Sequence, residues 1–458
     1  MTASSPRDAQ KMEKIVSLCK RRGFIFQSSE IYGGLNGAWD YGPLGVALKR
    51  NIKNYWWHCM TQLRDDVVGM DGAILMNRAV WQASGHESTF SDPMVDCKTC
   101  KRRFRADSLD SVECGQKPSK TPLTCGGELT EPRAFNLMFK TYVGPVEDDS
   151  SVTYLRPETA QAIFVQFKNV LEVSRKKLPF GIAQMGKAFR NEINPRNFTF
   201  RSREFEQMEL EFFVQPDKGL EWLEYWKEER LCWYEAIGIP RSKIHVLQVP
   251  DETRAFYSKG TYDLEYSFPF GVQELEGIAY RTDYDLRQHQ EASGKPLEYF
   301  DEETKSKYIP HVVEPSAGVD RTLLALLCEA YNEEEIQDEN GKLEVRTILR
   351  FHPRMAPIKC GVFPLLKNKP ELVTKAREIR DLLKSHMMVF YDDAGAIGRR
   401  YRRQDEAGTP FGVTIDFETL GEKGPELKNT VTLRNRDSMK QERVHIKDLV
   451  NHLLSAIA

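Results

Sequence analysis

The sequence predicts an α+β chain with antiparallel strands in its middle and an α/β domain at its C-terminal end. Between Phe180 and Val214, two strand-like stretches flank a polar loop at residues 194–197, and this arrangement is typical of an antiparallel hairpin. Residues 271–286 repeat the style of this hairpin. After Pro353, strand-like and helical stretches alternate, which indicates a separate α/β domain.

The composition indicates a globular chain with enough apolar residues for real cores. Its 458 residues suggest about three domains by length, and 40% of them are hydrophobic. The longest apolar runs are far shorter than a membrane span, and residues 1–22 are polar and charged without a secretory h-region. We therefore expect a cytoplasmic protein with no membrane partner. A formal net charge of −2 means that an RNA partner, if there is one, is held by local basic patches.

Strand periodicity sorts the side chains of the hairpin onto two faces. Met208, Leu210 and Phe212 share the apolar face, because successive side chains of a strand point in opposite directions. The other face is predicted to carry Arg190, Glu192, Arg201, Arg203, Phe205, Gln207, Glu209 and Glu211. One interpretation of that face is a solvated sheet surface. The other is a nucleotide-activating site, since arginine binds phosphate, an aromatic ring stacks on a base and carboxylates accept from an amine.

Residues 92–135 break the strand pattern with charge runs and four cysteines. Cys97 and Cys100 form a CxxC pair and Cys125 precedes two glycines, which is typical of a zinc ribbon whose turns aim backbone NH groups at thiolates. Cys114 and Cys125 lie eleven positions apart, so the second pair is not a CxxC. Two interpretations stay open: a zinc site formed by all four cysteines, and free thiols in a surface insertion.

Three further segments carry candidate binding residues. Residues 156–161 lie between a strand-like and a helical stretch, where their polar side chains are suited to capping the helix. Glu274 and Glu276 are predicted to share a strand face, on which two carboxylates near phosphates would hold Mg²⁺. Arg321 lies at the start of a predicted helix, where the dipole disfavours a cation, so it indicates either a bound anion or a surface salt bridge.

Two of these segments resemble sequence motifs of the class II aminoacyl-tRNA synthetases. The hairpin resembles motif 2, through the run FRNE at 189–192 followed by Arg201, Phe205 and Glu209. Residues 314–321, EPSAGVDR, resemble motif 3 in the form that is typical of glycyl-tRNA synthetases. The two motifs also occur in the order and spacing of that family.

Weaker resemblances extend over nearly all of the chain, from about residue 10 to 455. A helix that starts at Pro43 and feeds a strand at 67–76 resembles motif 1, which builds the dimer interface in that class, and RPETAQ at 156–161 resembles a loop of the amino-acid site. The C-terminal part resembles the anticodon-binding domain of class IIa synthetases. The resemblance is to the dimeric (α2) glycyl-tRNA synthetases, and it implies a homodimer with an antiparallel catalytic sheet flanked by helices.

The same resemblance implies a role for each candidate residue. Arg190 and Arg321 would be catalytic and would contact ATP together with Glu192, Arg201, Phe205 and Glu274. The glycine-binding residues would be Arg156, Glu158, Glu209, Arg281, Glu314 and Ser316. Mg²⁺ would be held by Glu274 or Glu276, and zinc by Cys97, Cys100, Cys114 and Cys125. The densest basic cluster would contact the tRNA through Arg399, Arg400, Tyr401, Arg402 and Arg403.

The reaction implied is the ATP-dependent activation of glycine to glycyl-adenylate, followed by transfer to the 3′ end of tRNA(Gly). Two alternatives are another class II synthetase, for threonine, proline or serine, and a non-catalytic nucleic-acid-binding subunit. The domains expected are the N-terminal part of the catalytic domain at 1–91, a cysteine insertion at 92–135, a catalytic core at 136–352 with an insertion at 287–310, and an anticodon-binding domain at 353–458.

Overall fold

The computed structural model describes residues 6–110, 112–337 and 343–458, in which helices flank several sheets. The helices are α1 (Pro6–Arg22), α2 (Pro43–Trp57), α3 (Arg78–Ala83), α4 (His86–Thr89), α5 (Ala160–Ser174), α6 (Gly219–Ala236), α7 (Tyr284–Ser293), α8 (Val319–Ala330), α9 (Pro370–Lys384), α10 (Ile397–Ala407) and α11 (Ile446–Ile457). Within the described ranges, no helix has the length and apolar character needed to cross a membrane.

The strands pair mainly with neighbours in sequence. They are β1 (Ile25–Gln27), β2 (Trp39–Tyr41), β3 (Val67–Gly69), β4 (Ser91–Asp96), β5 (Arg103–Arg105), β6 (Arg133–Asn136), β7 (Phe139–Tyr142), β8 (Val152–Leu155), β9 (Phe180–Phe189), β10 (Glu204–Val214), β11 (Ile244–Gln248), β12 (Gly260–Phe268), β13 (Gly271–Thr282), β14 (Tyr299–Phe300), β15 (Lys307–Tyr308), β16 (His311–Gly318), β17 (Tyr331–Gln337), β18 (Leu343–Leu349), β19 (Cys360–Pro364), β20 (Val389–Tyr391), β21 (Phe411–Ile415), β22 (Thr430–Asn435) and β23 (Gln441–His445).

A seven-stranded sheet forms the middle of the described chain, in the order β11-β12-β13-β16-β10-β9-β3. All neighbours run antiparallel except β3 and β9, which are parallel. The predicted hairpin is present as β9 and β10, which pair from Phe180 opposite Phe213 to Phe189 opposite Glu204. The strand predicted within residues 271–286 is β13, and it lies two places from β10 with β16 between them.

The two faces of β10 are covered by different helices, and the alternation predicted for it is correct. Met208, Leu210 and Phe212 belong to the large core that includes residues of α2, α6 and α8. The opposite face carries the ring of Phe205 at its start and packs against α5 through Phe213 at its far end. The rest of that face carries polar side chains, and the candidate site lies there.

The loop of the hairpin is longer than predicted. Residues 198–200 form a short 3₁₀ turn, and Asn197 and Phe198 adopt left-handed backbone conformations with φ of 59° and 58°. The second strand therefore begins at Glu204, and the strand periodicity assigned to Arg201 and Arg203 is wrong. Arg203 instead donates to the backbone oxygens of Glu192 at 3.1 Å and Asn36 at 2.7 Å, which closes the base of the loop.

The C-terminal part contains a second sheet with a hydrophobic core of its own. Its strand order is β20-β19-β21-β22-β23, with β19 parallel to both β20 and β21 and the last pairs antiparallel. Between the two large sheets in sequence, β17 and β18 form a hairpin that leads from α8 toward the C-terminal part. The predicted α+β fold class, with an antiparallel sheet and a C-terminal α/β unit, is confirmed.

Candidate active site

A cavity of about 290 Å³ lies on the polar face of the central sheet. Side chains from β10, β13 and β16 form its floor, and residues before α5 and in the hairpin loop form its walls. Eleven of the predicted site residues line it: Glu158, Arg190, Glu192, Arg201, Phe205, Glu209, Glu274, Arg281, Glu314, Ser316 and Arg321. Residues 158 and 321 are far apart in sequence, so the fold itself assembles this set.

Arginines and aromatic rings occupy one end of the cavity, where β10 begins. The guanidinium of Arg190 lies 5.4 Å from the ring centroid of Phe205, and its Nε donates to the carbonyl of Pro157 at 3.1 Å. Arg321 lies over the ring of Phe200 at 4.4 Å. The cavity thus offers two cations and two aromatic faces side by side, which suits a nucleotide with its phosphates.

Carboxylates dominate the other end of the cavity, further along the same strands. Glu209 is fully buried, and its two oxygens accept from Ser316 Oγ at 2.8 Å and from Thr159 N at 3.0 Å. The hydroxyl of Thr159 also donates to Glu209. Glu314 pairs with the guanidinium of Arg281. These bonds fix the carboxylates in place before any ligand arrives.

Arg281 and His86 decide which of the carboxylates keep their charge. Burial and the neighbouring carboxylates raise the pKa of Glu314 to about 8, although the ion pair with Arg281 opposes this shift. Burial also raises the pKa of Glu209. The pKa of Glu158 is lowered despite its burial, because His86 Nε2 lies 3.3 Å from its carboxylate. The acidic end therefore holds a mixture of charged and protonated groups at neutral pH.

Arg156 does not line the cavity, which corrects its predicted role in glycine binding. Its buried guanidinium donates to the carbonyls of Lys187 at 2.7 Å and Gly72 at 2.8 Å. A Cβ atom at Gly186 would lie 2.1 Å from Arg156 Nη2, so the glycine makes room for this arginine. These hydrogen bonds connect the segment before α5 to β9 and to the segment after β3. Arg156 therefore stabilises segments around the site but does not itself line the cavity.

Glu276 also lies outside the cavity, which corrects the prediction that it shares a face with Glu274. A β-bulge places Glu274 opposite Glu265 but Glu276 opposite Leu264, so Leu275 is an extra residue on β13. The alternation is interrupted there. Glu274 faces the cavity, whereas Glu276 is buried on the opposite face and accepts from Arg230 Nε at 2.6 Å. It is therefore not a candidate Mg²⁺ ligand.

Tyr257 and Asp263 are two of the residues in or beside the cavity that were not among the predicted site residues: Tyr257 lines it, and Asp263 lies next to the cavity residues Glu274 and Gly277. Asp263 lies close to Glu274, since a Cβ atom built at Gly277 would be 3.8 Å from Asp263 Oδ1 and 3.7 Å from Glu274 Oε1. Burial, followed by the charges of Glu274 and Glu265, raises the pKa of Asp263 to about 7. The ring of Tyr257 lies 4.3 Å from Arg281. Nothing in the local sequence distinguishes either residue: Asp263 is brought in by the pairing of β12 with β13, and Tyr257 lies in the loop before β12.

The four cysteines of the insertion come together as predicted. Cys97, Cys100, Cys114 and Cys125 line one small cavity of about 70 Å³ between β4 and the loop before β6, and all four are free thiols. Backbone NH groups lie near the sulfurs, with Cys100 N 3.4 Å from Cys97 Sγ and Gly127 N 3.3 Å from Cys125 Sγ. Backbone NH groups of Cys100 and Gln116 are the main causes that lower the pKa of Cys97 and Cys114, respectively.

Most members of the basic cluster in α10 have partners within the protein, although Arg402 and Arg403 stay 37% and 36% exposed, and the contact with tRNA stays a prediction. Arg400 is buried and donates to the carbonyl of Gly395. Tyr401 bonds to Thr414 Oγ1, Arg402 pairs with Glu344, and Arg403 donates to Asp392 at 2.6 Å. Arg399 is exposed and makes no ion pair within the described residues. Three of its four arginines therefore have partners within the described residues, and only Arg400 among them is buried.

Two family models match the chain in separate regions. The model "tRNA synthetase class II core domain (G, H, P, S and T)" matches residues 142–330, which contain the cavity, and the model "Anticodon binding domain" matches residues 359–456. The fold and these matches define a class II tRNA synthetase with an anticodon-binding domain.

Curated relatives narrow the family further. The glycine–tRNA ligase of Treponema denticola is 54% identical over 97% of this chain and 97% of its own length. Those of Thermobifida fusca, 52% identical over 98% and 99%, and Clostridium perfringens, 52% identical over 96% and 97%, are similar over comparable spans. The chain belongs to the glycine–tRNA ligase family. This confirms the predicted enzyme class.

Proposed function

We propose that the protein activates glycine with ATP to form glycyl-adenylate and pyrophosphate, and then transfers the glycyl group to the 3′ end of tRNA(Gly). The observation that carries this proposal is that the two ends of the cavity, which follow each other along β10, differ in charge. Arg190 and Phe205 lie at one end, and Glu209 and Ser316 lie at the other. A ligand with a polyanionic end and an ammonium end is complementary to such a site.

The arginine end is suited to ATP. Only Nε of Arg190 is engaged, with Pro157, so within the described residues its two Nη groups stay available for a bidentate contact with the α-phosphate. There it would stabilise the negative charge that develops as the glycine carboxylate attacks. Phe205 and Arg321 would enclose adenine, and Glu192 and Arg201, which are 3.4 Å apart, would contact its polar edge. Glycine's carboxylate is already the nucleophile, so the step requires no general base.

Glu274 and Asp263 are the residues that would hold Mg²⁺. Their carboxylates converge near Gly277, and Glu274 is, after burial, the main cause of the raised pKa of Asp263, so a cation between the two would stabilise both carboxylates. Mg²⁺ prefers carboxylate and phosphate oxygens, and it would neutralise the charge of the departing pyrophosphate. Arg321, whose Nη1 is 3.3 Å from Glu274, would then turn to the nucleotide.

The carboxylate end is suited to glycine. Glu158, Glu209 and Glu314 can surround an ammonium group, with the hydroxyl of Ser316 beside them. A pocket built from side chains that are bonded to one another cannot retreat from an added methyl group. Alanine is therefore excluded by steric conflict rather than by a missing contact.

The C-terminal part would bind the anticodon stem of tRNA(Gly). Of the predicted basic cluster, Arg399 is the residue best placed to contact phosphate, because it is exposed and unpaired within the described chain. The other four members would support α10 rather than bind RNA. The domain division at residues 91, 135 and 352 is proposed with this assignment.

The cysteine cluster would hold zinc. Its thiols converge on one cavity, the NH groups around them favour thiolates, and a Cβ atom at Gly127 would lie 2.8 Å from Cys97 Sγ. A zinc ion there would tie the two ends of the insertion together.

A homodimer in the cytoplasm is the proposed form of the enzyme. Ile31, Tyr32 and Leu35 lie in one loop and are 89%, 87% and 58% exposed. Such exposed apolar residues in one segment indicate a surface that a partner covers. Sedimentation analysis at micromolar concentration is expected to give twice the mass of the chain, and a single-chain mass would overturn the dimer.

Charging of tRNA tests the proposed function as a whole. The purified protein is expected to attach radiolabelled glycine to a tRNA(Gly) transcript in the presence of ATP and Mg²⁺. Arg321→Ala is expected to abolish charging. If the folded parent protein does not charge tRNA(Gly) with glycine, the proposal is wrong.

A further inference from the structure

Glu211 is a buried carboxyl that the proposed reaction leaves without a role. It lies two residues beyond Glu209 on β10, on the same face, and none of its surface is exposed. Within the described residues, no donor reaches either carboxylate oxygen of Glu211. A buried ionised carboxylate without a partner is costly, so this group calls for an explanation.

The surroundings of Glu211 are themselves acidic. A carboxylate oxygen from each of Glu209, Glu211 and Glu314 lies within 4.8 Å of the other two. The charged groups that act on Glu211 are Glu314 from β16, Arg281 from β13, Asp285 from α7 and Glu209 from its own strand. Arg281 is the one cation of this set.

Arg281 is already engaged by two other carboxylates. It donates to Asp285 from Nε at 2.8 Å and from Nη2 at 2.9 Å, and it also pairs with Glu314. It is therefore not available to Glu211, and its positive charge opposes a metal cation among these carboxylates. A proton is the remaining way to remove the charge of Glu211. Burial and the charge of Glu314 raise its pKa well above the usual range, which agrees with this argument.

We infer that Glu211 is a neutral carboxylic acid in the working enzyme, and that its hydroxyl donates to a neighbouring carboxylate and thereby positions Glu209 and Glu314 for the ammonium group of glycine. This inference rests on the proposed function. Glu211 is a positioning residue, since it acts through the two carboxylates rather than on the substrate. Its proton also keeps one further negative charge away from Glu209, Glu314 and Asp285, for which Arg281 is the one nearby cation of the set.

Glutamine and leucine at position 211 distinguish a neutral donor from a required charge. Glutamine keeps the shape and a hydrogen-bond donor but cannot ionise, and leucine keeps the bulk but removes the donor. In glycine-dependent ATP–pyrophosphate exchange, Glu211→Gln is expected to keep the KM for glycine within about threefold of the parent value. Glu211→Leu is expected to raise it at least about tenfold, with the KM for ATP within about threefold.

The pH profile and a second buried carboxyl serve as controls. The ratio of the glycine KM values of Glu211→Gln and the parent is expected to stay constant between about pH 6 and pH 8. Asp405→Asn changes a buried carboxyl in α10, outside the cavity, and is expected to leave the KM for glycine unchanged.

Three results would overturn the inference while the parent stays active. They are a tenfold loss of glycine affinity in Glu211→Gln, a ratio that rises with pH, and a Glu211→Leu variant that matches the parent. A parent without glycine-dependent exchange would instead remove the proposed function, and the inference with it.

Discussion

Ser316 and Glu209 are opposite each other on β16 and β10, and the serine hydroxyl donates to the Glu209 carboxylate at 2.8 Å. The backbone NH of Thr159, at the start of α5, donates to the other oxygen of Glu209 at 3.0 Å. Glu209 is thus oriented by two separate segments, both of which belong to motifs that the sequence identifies. The position of one carboxylate therefore depends on the correct assembly of three parts of the chain.

Replacing Glu209 is expected to affect glycine far more than ATP. Glu209→Ala removes a buried carboxylate from the ammonium end, and we expect kcat/KM for glycine to fall by about 100-fold or more, with little change in the KM for ATP. ATP–pyrophosphate exchange measures both parameters. Glu235→Ala, at an exposed position of α6, is the control and should behave like the parent. Equal glycine-dependent exchange in Glu209→Ala and the parent would contradict the assignment.

Removing zinc is expected to destabilise the insertion. The purified protein should contain about one zinc per chain, and a strong chelator or Cys97→Ser should lower the thermal unfolding midpoint. The matched control is Cys232→Ser, because Cys232 is an exposed free thiol on α6. Metal analysis well below one zinc per chain, together with an unchanged midpoint in Cys97→Ser, would rule out the site.

The protonation of Glu211 predicts a pH dependence of stability. Its pKa is raised in the folded protein, by burial and by Glu314, above the unfolded value of about 4.3. The stabilisation by its proton is full below the unfolded pKa and is lost as pH rises towards the folded pKa. The parent should therefore lose stability relative to Glu211→Gln as pH rises from about 5 to 8. The difference between their unfolding free energies should change by at most about 1.4 kcal/mol per pH unit. Parallel curves in urea denaturation would show that Glu211 does not hold this proton.

The contact between α10 and β18 is expected to depend on Asp405. Its buried carboxylate accepts from Arg346 Nε at 2.9 Å and from Arg434 Nη1 at 3.0 Å. Asp405→Ala removes the carboxylate that the buried guanidinium groups of Arg346 and Arg434 share, although Arg346 keeps Glu334 at 3.1 Å, and should cost about 3 kcal/mol in unfolding free energy. Asp381→Ala, which removes an exposed ion-pair partner, is the control and should leave the denaturation midpoint nearly unchanged. Similar denaturation midpoints for Asp405→Ala and Asp381→Ala would show that Asp405 does not stabilise this contact.

The local sequence pattern was enough to predict the positions of residues that lie in regular strands next to recognisable motifs. The alternation that puts Glu209 and Met208 on opposite faces follows from strand geometry, and it needs no knowledge of the rest of the chain. The cysteine cluster could be predicted for the same reason, because its turns are encoded locally. The motif resemblance supplied the partners of these residues.

The sequence pattern did not predict the positions of residues that depend on a local irregularity of a strand or on a partner distant in sequence. The bulge at Leu275 reverses the face of Glu276, and alternation alone cannot reveal it. The local sequence also does not reveal that Glu344 and Asp392 pair with Arg402 and Arg403. Asp263 comes next to Glu274 through the pairing of β12 with β13, and alternation gives the face of Glu211 but not its full burial among other carboxylates.

The most direct test of the proposed function is ATP–pyrophosphate exchange measured with each of the twenty amino acids in turn. Glycine is expected to support exchange, and alanine and serine are expected to be at least about 100-fold poorer, because the bonded carboxylates leave no space for a side chain. Faster exchange with threonine, proline or serine would identify a different class II synthetase. Exchange with none of the twenty would contradict an enzymatic role.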